Sequence, residues 1–504
     1  MNLEYNNSNY EIEVPLPGEF PYTSGIHSDM YKSKRWNIKQ YAGYGNAEEA
    51  NLNFRSLISS GSAGISIAFD LPTQMGIDPM SKLAKNEVGR IGVFINDLDD
   101  MRKLLSGIDL GKISASMTIN STAGILLIMY QVIAEENGIS SNLLRGTIQN
   151  DILKEFITRS TYIFPPEASL RFTNDIFEYC SKELPHWNPI SVSGYHFSEA
   201  GATPAQELAF AISNAVLYLE KALARGLNIE FIAEKFTFFF TAKTDLLEEI
   251  SKFRVARKIW ANILVNKFDF LPNSKALKMR IHAQTAGSQL TSFGVENNYA
   301  RVTIQALAAV LGGVQSLHTN SFNEALSLPT EKSSKLAINI QHILMEETDL
   351  LKAADPLRGS YVIENLTLAL EKEVLEIIKS IEKLGGVVDC INLGYQRNLI
   401  EKNSLIESKS VAENTKKIVG LNTGVVIDET EDKETFYFRQ PTQDKNLFKI
   451  EKKALQLNYE LKRLKEAALD DQNVMYPIKD LILKGATVSQ ICDVLKECWG
   501  VYSP

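Results

Sequence analysis

Residues 113–120 read ISASMTIN, an apolar run in which small hydroxyl residues alternate with larger ones and which ends in asparagine. Between about residue 60 and residue 325 similar short runs recur, each bounded by Gly, Pro or Asn and separated by helix-patterned segments. This alternation predicts repeated β-α units around a parallel sheet. The runs are GISIAFDL from Gly64, ISASMTIN from Ile113, GTIQND from Gly146, PISVSGYHF from Pro189, FTFFFTA from Phe236, KMRIHAQT from Lys278 and VQSLHTN from Val314, with IGVFIND from Ile91 a weaker eighth candidate.

The number of these units predicts the architecture. Seven or eight β-α units over roughly 250 residues is the size of an eight-stranded parallel β/α (TIM) barrel. We therefore predict an α/β fold with an N-terminal arm over residues 1–20, a barrel over residues 21–365 and a helical C-terminal region over residues 366–504. That last region is dense in charge, and its final segment, MYPIKDLILKGATVSQICDVLKECWG, is typical of an amphipathic helix pair.

Nearly every run ends in a residue able to do polar chemistry. In a β/α barrel the carboxyl ends of the strands form the active-site face. Three of the six histidines lie at such ends, which simple strand termination explains poorly. The strand-end residues are Asp70, Asn120, Asn150, Asp151, His196, Thr241, His282, Gln284, His318 and Asn320.

Composition excludes several classes of protein. The 504 residues are 44% hydrophobic and 23% charged, which is typical of a globular protein, and the net charge of -8 provides no positive field for nucleic acid or an anionic membrane. No run approaches the ~18 apolar residues of a membrane span. Four cysteines without C-x-x-C spacing and an N-terminus without signal-peptide or transit-peptide character predict a cytoplasmic protein.

The absence of several common motifs excludes some classes of enzyme chemistry. The sequence contains no P-loop, H-E-x-x-H or G-x-S-x-G motif, and its histidines do not pair at metal-ligand spacing, so we predict no metal ligand in this chain. Polar strand ends without a metal or nucleophile motif favour an organic cofactor. The alternating Ser and Thr residues also predict a barrel interior filled by something long, thin and polar, because an empty interior would be poorly packed.

Several longer motifs carry a family resemblance. The stretches PGEFPYTSGI, RWNIKQYAGYGNAEEAN, GISIAFDLPTQMG, GTIQNDILKEF, SVSGYHFSEAGA and SLHTNSFNEALSLPT resemble the catalytic part of the coenzyme-cobalamin-dependent acyl-CoA mutases, the methylmalonyl-CoA mutase family. The similarity runs from about residue 15 to about residue 400. It implies a barrel threaded by the pantetheine arm of coenzyme A and a radical 1,2-shift of the thioester carbonyl group that uses adenosylcobalamin.

The resemblance implies roles for individual residues. His196 would donate to the thioester carbonyl, Gln149 would be a second contact to it, Arg159 would bind the free carboxylate of a malonyl-type substrate, and Tyr41 would lie between substrate and cofactor. The substrate-binding residues it implies are Lys34, Lys39, Ser66, Ser116, Thr118, Thr147, Asn188, Tyr195, Lys235, Thr237, His282, Gln284, Gln315 and Ser316. The cofactor-binding residues it implies are Phe69, Glu199, Gly287, Asn320, Glu324 and Ala325.

Three departures from the family pattern qualify this interpretation. Lys34, Lys39 and Lys235 occupy positions where the family commonly has arginine, which keeps the charge but loses the forked geometry. Ser288 replaces an aromatic residue of many relatives. No histidine is followed by x-x-Gly, whereas the family's cobalamin module carries D-x-H-x-x-G. We therefore expect a large subunit whose partner is a small cobalamin-binding subunit that supplies the lower cobalt ligand.

The predicted reaction is the interconversion of (R)-methylmalonyl-CoA and succinyl-CoA. Alternatives are mutases of ethylmalonyl-, isobutyryl- or hydroxyisobutyryl-CoA and a non-catalytic barrel partner. Relatives that act on substrates without a second carboxylate replace the Tyr41 and Arg159 positions, and Ala68 also matches the branch that uses a carboxylate. Retention of Tyr41, Gln149, Arg159 and His196 together argues against a non-catalytic subunit.

Overall fold

The computed structural model describes residues 13–43, 45–59, 64–327, 330–424 and 457–503. Within these residues the chain forms ten β-strands and seventeen α-helices. The strands are β1 (Asn37–Ile38), β2 (Tyr41–Ala42), β3 (Gly64–Ala68), β4 (Ser114–Thr118), β5 (Arg145–Ile148), β6 (Trp187–Asn188), β7 (Ser191–Ser193), β8 (Thr237–Ala242), β9 (Arg280–Thr285) and β10 (Ser316–His318).

The helices fill the intervals between the strands and follow the last one. Those up to β10 are α1 (Ala47–Ser59), α2 (Leu71–Met75), α3 (Leu98–Leu105), α4 (Ala123–Glu136), α5 (Pro166–Glu183), α6 (Tyr195–Glu199), α7 (Pro204–Ala224), α8 (Ile229–Lys235), α9 (Leu246–Phe268) and α10 (Asn297–Leu311). The later ones are α11 (Glu331–Glu346), α12 (Tyr361–Lys383), α13 (Val387–Asn392), α14 (Tyr395–Ala412), α15 (Asn458–Leu469), α16 (Met475–Leu483) and α17 (Val488–Trp499).

The chain divides into two compact units. Unit 1 comprises Met1–Ile38, Val192–Leu217 and Phe236–Phe438, and unit 2 comprises Lys39–Ser191, Tyr218–Lys235 and Arg439–Pro504. Each unit contains one five-stranded sheet, in the order β1-β10-β9-β8-β7 in unit 1 and β2-β3-β4-β5-β6 in unit 2. The pairs from β2 to β6 are parallel, as are those linking β1, β10, β9 and β8. The predicted α/β class with parallel sheets is therefore confirmed.

The sheet of unit 2 is covered by helices that share one hydrophobic core. Helix α4 is buried along nearly its whole length. Helices α15, α16 and α17 share its hydrophobic core, in which Met475, Ile478 and Ile491 are fully buried. The predicted final helix pair is therefore confirmed as α16 and α17, and in this unit it packs into the core of the sheet and its helices.

In unit 1 the charge-rich helices pack through buried ion pairs. Arg254 on α9 is 1% exposed and bonds Asp355 and, at 2.5 Å, Glu364 on α12. Arg257 donates to the carbonyl oxygens of Tyr22, Thr23 and Gly312 at 2.7 to 2.9 Å. A buried charge requires such partners, so the charge density that the sequence shows after residue 330 is partly internal in the folded unit.

Two details differ from the sequence pattern. The run IGVFIND from Ile91 forms no strand, and Val93 makes only isolated bridges to Gly45 and Phe69. The sequence pattern did not predict β1 and β2, because Lys39 and Gln40 between them interrupt the apolar run. A polar stretch of the C-terminal region, IDETEDKETFYFRQPTQD, lies outside the described residues.

None of the described helices is long and apolar enough to cross a membrane.

Candidate active site

A row of polar side chains crosses the sheet of unit 2. The strand register pairs Tyr41 with Ser66, Ser66 with Ser116, Ser116 with Thr147, and Thr147 with Asn188. The hydroxyl and amide positions of β3 to β6 remain partly accessible, whereas the apolar residues beside them are buried. One face of this sheet therefore presents the hydroxyl groups that the alternating pattern predicts.

Hydrogen bonds join two members of this row to each other and connect the row to the backbone and to a neighbouring lysine. The Asn188 side chain donates to Thr147 Oγ1 at 3.0 Å and to the Gly146 carbonyl oxygen at 3.1 Å. Lys39 Nζ donates to Ser116 Oγ at 3.3 Å, which places an ammonium group beside the middle of the row. The face combines a cation with neutral hydrogen-bonding groups, a combination that suits an extended polar ligand with an anionic end.

Arg159 lies at the end of a five-residue π-helical turn, Glu155–Arg159, which follows β5. Ser160 ends the turn in the left-handed conformation with φ 60°. The Arg159 guanidinium donates to Gln74 Oε1 at 3.4 Å and lies 3.8 Å from Glu155 Oε1, and 29% of its side chain is exposed. These contacts are long for a guanidinium, which therefore has capacity for a bidentate anion.

Tyr41 lies beside this guanidinium. Its hydroxyl is hydrogen-bonded to the Thr118 side chain, and the charge of Arg159 acts on it. Desolvation raises the pKa of Tyr41 and outweighs both of these effects, although 44% of the residue surface is accessible. Tyr41 is therefore a neutral hydroxyl group at neutral pH, next to a cation.

A buried ion pair supports the turn from inside. Lys154 and Glu155 are fully buried and bonded to each other, and Glu155 also accepts from Asn120 Nδ2 at 2.6 Å and from the Thr161 hydroxyl. Burial alone would raise the pKa of Glu155, but the charges of Lys154 and Arg159 outweigh burial and lower it. Glu155 is thus ionised, and its closest partners are groups other than Arg159.

Asn120 connects this ion pair to Gln149. The same Asn120 Nδ2 donates to Gln149 Oε1 at 3.1 Å, and Asn120 Oδ1 accepts from the backbone N–H of Asp151 at 3.1 Å. Gln149 is 5% exposed. Because its oxygen is already engaged, its N–H₂ group is the part that can donate to a ligand.

The second cluster lies in unit 1 and is centred on His196 in α6. His196 Nδ1 is 2.8 Å from Ser193 Oγ at the end of β7. The neighbouring Tyr195 ring stacks on Phe239 with centroids 4.7 Å apart and an angle of 8°, and the His196 ring lies edge-on to Phe239 at 6.0 Å. The imidazole is thus held by one hydroxyl group and aromatic surfaces.

Hydrogen-bonded polar side chains continue from Tyr195 along β9 and β10. Gln284 Nε2 donates to the Tyr195 hydroxyl and to Asn320 Oδ1, both at 3.0 Å. His282 Nδ1 is 2.8 Å from Ser316 Oγ, and the register places these two residues opposite each other. The residues of this network are ones that the resemblance implies for substrate or cofactor contact.

Two carboxyl groups with raised pKa values lie near Gly287. Glu199 accepts from the backbone N–H and hydroxyl of Ser288 at 2.9 and 3.0 Å, and burial raises its pKa. Desolvation by the surrounding protein, with a further contribution from the Glu199 charge, raises the pKa of Glu324 to about 7, although part of the residue surface is accessible to solvent. A Cβ atom on Gly287 would lie 3.2 Å from Asn320 Nδ2 and 3.3 Å from Glu199 Oε2, so this glycine leaves room among polar groups.

The remaining predicted residues occupy varied environments. Gln315 uses its amide on the backbone, accepting from the Ile281 N–H at 2.7 Å and donating to the Gly313 carbonyl oxygen at 2.9 Å. Phe69 is 1% exposed and packs in the core of unit 2. Lys34 and Ala325 are exposed, Thr237 is partly exposed on β8, and Lys235 Nζ lies 5.2 Å from the centre of the Phe231 ring.

The sequence interpretation missed several residues that support these clusters. Gln74 contacts Arg159, Ser193 contacts His196, and Lys154 with Glu155 supports the turn. An adjacent Lys-Glu pair between Leu153 and Phe156 is a signal for a buried ion pair, but nothing in the local pattern marks Gln74. Among the described residues, no group of three His, Cys, Asp or Glu side chains could hold a metal ion.

Comparisons with known proteins agree on one family. The sequence model of a family described as Methylmalonyl-CoA mutase matches residues 2–501. The chain is 39% identical over 496 residues to a 2-hydroxyisobutanoyl-CoA mutase large subunit from Aquincola tertiaricarbonis, covering 97% of this chain and 88% of that protein. It is 42% identical over 419 residues to the Methylmalonyl-CoA mutase of Escherichia coli (strain K12), covering 83% of this chain and 58% of that protein.

The human relative extends the same comparison. Over 498 residues the chain is 40% identical to a mitochondrial Methylmalonyl-CoA mutase from Homo sapiens, covering 97% of this chain and 66% of that protein. In seven relatives whose names contain methylmalonyl-CoA mutase, the chain spans between 55% and 69% of the relative's length.

Proposed function

Because this chain belongs to the methylmalonyl-CoA mutase family of cobalamin-dependent isomerases, we propose that it interconverts (R)-methylmalonyl-CoA and succinyl-CoA as the large subunit of a two-chain enzyme. The observation that carries this choice of substrate is the pairing of Arg159 with Tyr41 in unit 2. A partly open guanidinium with long protein contacts beside a neutral phenol suits a carboxylate of the substrate.

The electrostatic balance around Arg159 supports the same substrate. Glu155 is bonded to Lys154, so this pair contributes no net charge, and Arg159 retains its positive charge. A carboxylate removed from water needs such a cation, because an unpaired buried charge is costly. A substrate without the second carboxylate would leave the guanidinium without that partner.

The second half of the proposal concerns the thioester carbonyl. His196 is the proposed donor, and Gln149 is the proposed second contact. A Ser193 hydroxyl that donates to Nδ1 leaves the proton of a neutral imidazole on Nε2, so that nitrogen is the donor to the carbonyl oxygen. The Gln149 N–H₂ group provides a second donor, and both groups stabilise the carbonyl as its electron density rises.

We further propose that the two sheets belong to one eight-stranded β/α barrel within residues 21–365. Support comes from chain continuity. Two residues separate β1 from β2 and two separate β6 from β7, and each pair divides one extended segment between the two sheets. Counting each segment once leaves eight strands. In such a barrel the hydroxyl row, with His282 and Ser316, would line the path of the pantetheine arm.

Adenosylcobalamin fits the polar group around Gly287. Close approach of a ligand requires a residue without Cβ there, and Glu199, Asn320 and Glu324 provide partners for ribose hydroxyl groups and adenine nitrogens. When bound, this cofactor supplies the carbon radical that removes a hydrogen atom from the substrate. The residues of this chain would bind the adenosyl group, orient the thioester and exclude water.

The proposed partner is a small cobalamin-binding subunit with a D-x-H-x-x-G motif. Its histidine would be the lower cobalt ligand. Support comes from the relative named as a large subunit, of which this chain covers 88%. The four thiols are unpaired, and we propose a cytoplasmic location on that basis.

That relative also favours a second candidate, a mutase of 2-hydroxyisobutanoyl-CoA. The two functions differ in the group next to Arg159, which is a carboxylate in one substrate and a methyl or hydroxyl group in the other. Retention of both Tyr41 and Arg159 makes the diacid our first choice.

The test is a direct comparison of substrates. The chain, mixed with a D-x-H-x-x-G subunit and adenosylcobalamin, is assayed with methylmalonyl-CoA, 2-hydroxyisobutanoyl-CoA and isobutyryl-CoA. We expect the highest kcat/KM for methylmalonyl-CoA and no turnover without the added subunit. Preference for either substrate without the second carboxylate would refute the substrate assignment, and full turnover by this chain alone would refute the two-chain assignment.

A further inference from the structure

Two stacked aromatic rings lie on either side of Arg159 in the sequence, one inside the turn and one after it. Phe156 lies three residues before Arg159 and Tyr162 three residues after it, and their rings are parallel within 7° with centroids 4.8 Å apart. Ser160, between them, has the left-handed backbone conformation. The rings therefore bring the two ends of the turn together on one side.

A third ring closes this cluster from a distant part of the sequence. Tyr502, which follows α17, lies edge-on to Phe156 at 4.9 Å and to Tyr162 at 5.0 Å, both at 87°. Its backbone N–H donates to the carbonyl oxygen of Ile163 at 3.0 Å. Edge-to-face geometry is favourable for aromatic pairs, so one side chain stabilises both ends of the Arg159 turn.

Helix α17 is anchored independently of this turn. Trp499 packs against Phe164 and Phe172 with centroids 5.1 and 5.9 Å away, and its Nε1 donates to the Ala468 carbonyl oxygen at 2.9 Å. Gly500 then ends the helix with φ 80° and directs the chain toward Ile163. Helix α17 therefore has packing contacts that do not involve the Glu155–Arg159 turn, whereas Tyr502 is joined to this region by its own ring contacts and by its hydrogen bond to Ile163.

We propose that Tyr502 is a positioning residue for Arg159, and thereby a determinant of the preference for substrates with a free carboxylate. This inference rests on the proposed role of Arg159. A π-helical turn lacks the regular i→i+4 hydrogen bonds, so side-chain packing contributes strongly to its geometry. The long contacts of Arg159 to Gln74 and Glu155 do not by themselves fix the guanidinium, which makes the backbone of the turn decisive.

The test measures binding of two coenzyme A thioesters to the full chain by titration calorimetry, which needs neither cobalamin nor a second subunit. Methylmalonyl-CoA carries the second carboxylate, and isobutyryl-CoA has a methyl group in its place. For Tyr502→Ala we expect binding of methylmalonyl-CoA to weaken roughly 10-fold, because small displacements of a binding group are costly, with isobutyryl-CoA changed by less than about 2-fold. Tyr502→Phe retains the ring and should bind like the wild type.

Trp499→Leu is the matched control. It removes a large aromatic contact of the same helix that does not involve the Glu155–Arg159 turn, so it should lower the Tm and leave the ratio of the two Kd values unchanged. Hydrogen exchange supplies a second readout. Amides of residues 155–163 should exchange faster in Tyr502→Ala than in the wild type or in Trp499→Leu.

The outcomes distinguish the proposed role of Arg159 from the proposed role of Tyr502. A wild type without preference for methylmalonyl-CoA overturns the role of Arg159 and this inference with it. If the wild type prefers methylmalonyl-CoA, two results for Tyr502→Ala would overturn this inference alone. One is an unchanged ratio of the two Kd values, and the other is equal weakening of the binding of both ligands.

Discussion

The two clusters of candidate residues use different physical chemistry. In unit 2, Arg159 is surrounded by buried charges that are paired with one another, and Glu155 has a lowered pKa. In unit 1, His196 is held by Ser193 and aromatic rings, and the nearby carboxyl groups of Glu199 and Glu324 have raised pKa values. One region lowers the pKa of its carboxyl group, whereas the other raises the pKa values of its two carboxyl groups.

This difference matches the two ends of the proposed reacting group. A substrate carboxylate needs a guanidinium whose charge is not cancelled by its neighbours, and the Lys154–Glu155 pair meets that need without adding net charge. A thioester carbonyl needs hydrogen-bond donors, which is the role that we propose for His196. Substitutions in the two clusters should therefore have different substrate dependence.

The largest expected effect comes from substitutions at Arg159 and Tyr41 in unit 2. Arg159→Gln combined with Tyr41→Phe should lower kcat/KM for methylmalonyl-CoA by roughly 10²- to 10³-fold, because the buried carboxylate loses its cation. The kcat/KM for isobutyryl-CoA should rise relative to the kcat/KM for methylmalonyl-CoA. Steady-state kinetics with both substrates measures this, and Arg145→Gln, an exposed position of the same unit, is the control. A double variant that still prefers the diacid would exclude Arg159 as its binding residue.

His196→Ala should give the next largest effect and should not distinguish the substrates. Loss of a carbonyl donor that acts mainly in the transition state should lower kcat by about 10²-fold and change KM little. Any acyl-CoA that the wild type turns over should show the same loss. His342→Ala, an exposed histidine of the same unit, controls for general damage. An unchanged kcat would remove His196 from the mechanism.

A smaller effect is expected from the residue that orients His196. Ser193→Ala removes the hydrogen bond to Nδ1 and leaves the ring in contact with Phe239. We expect kcat to fall roughly 3- to 10-fold, the amount that a single hydrogen bond is typically worth, with KM unchanged. A selective rise in KM for methylmalonyl-CoA would contradict the division of roles between the clusters.

The smallest expected effect is on the pH dependence of stability, through Glu324 near Gly287. The pKa of Glu324 is raised from 4.5 to about 7, so the folded protein favours its protonated form and loses stability as pH rises through this window. Glu324→Gln removes this loss. The fall in Tm between pH 5 and pH 8 should be smaller in the variant than in the wild type. Equal pH dependence in both proteins would show that Glu324 titrates near its usual pKa.

The strands that the sequence predicts best are those with strong alternation. In β3, β4 and β9 each apolar residue is buried and each polar neighbour is partly accessible along most of the strand, as period-two patterning requires. Strands β1 and β2 were not predicted, because the charged Lys39 and the polar Gln40 between them interrupt the apolar pattern that a core strand would show.

The sequence alone determined the α/β class, the family and the identities of the candidate site residues, because long motifs and periodicity are local properties of the chain. The tertiary structure decided which distant residues support them. Gln74 reaches Arg159 from α2, Asn120 joins Glu155 to Gln149, and Tyr502 packs against a turn more than 300 positions earlier in the sequence. Such contacts depend on packing between segments far apart in the chain, and no local pattern encodes them.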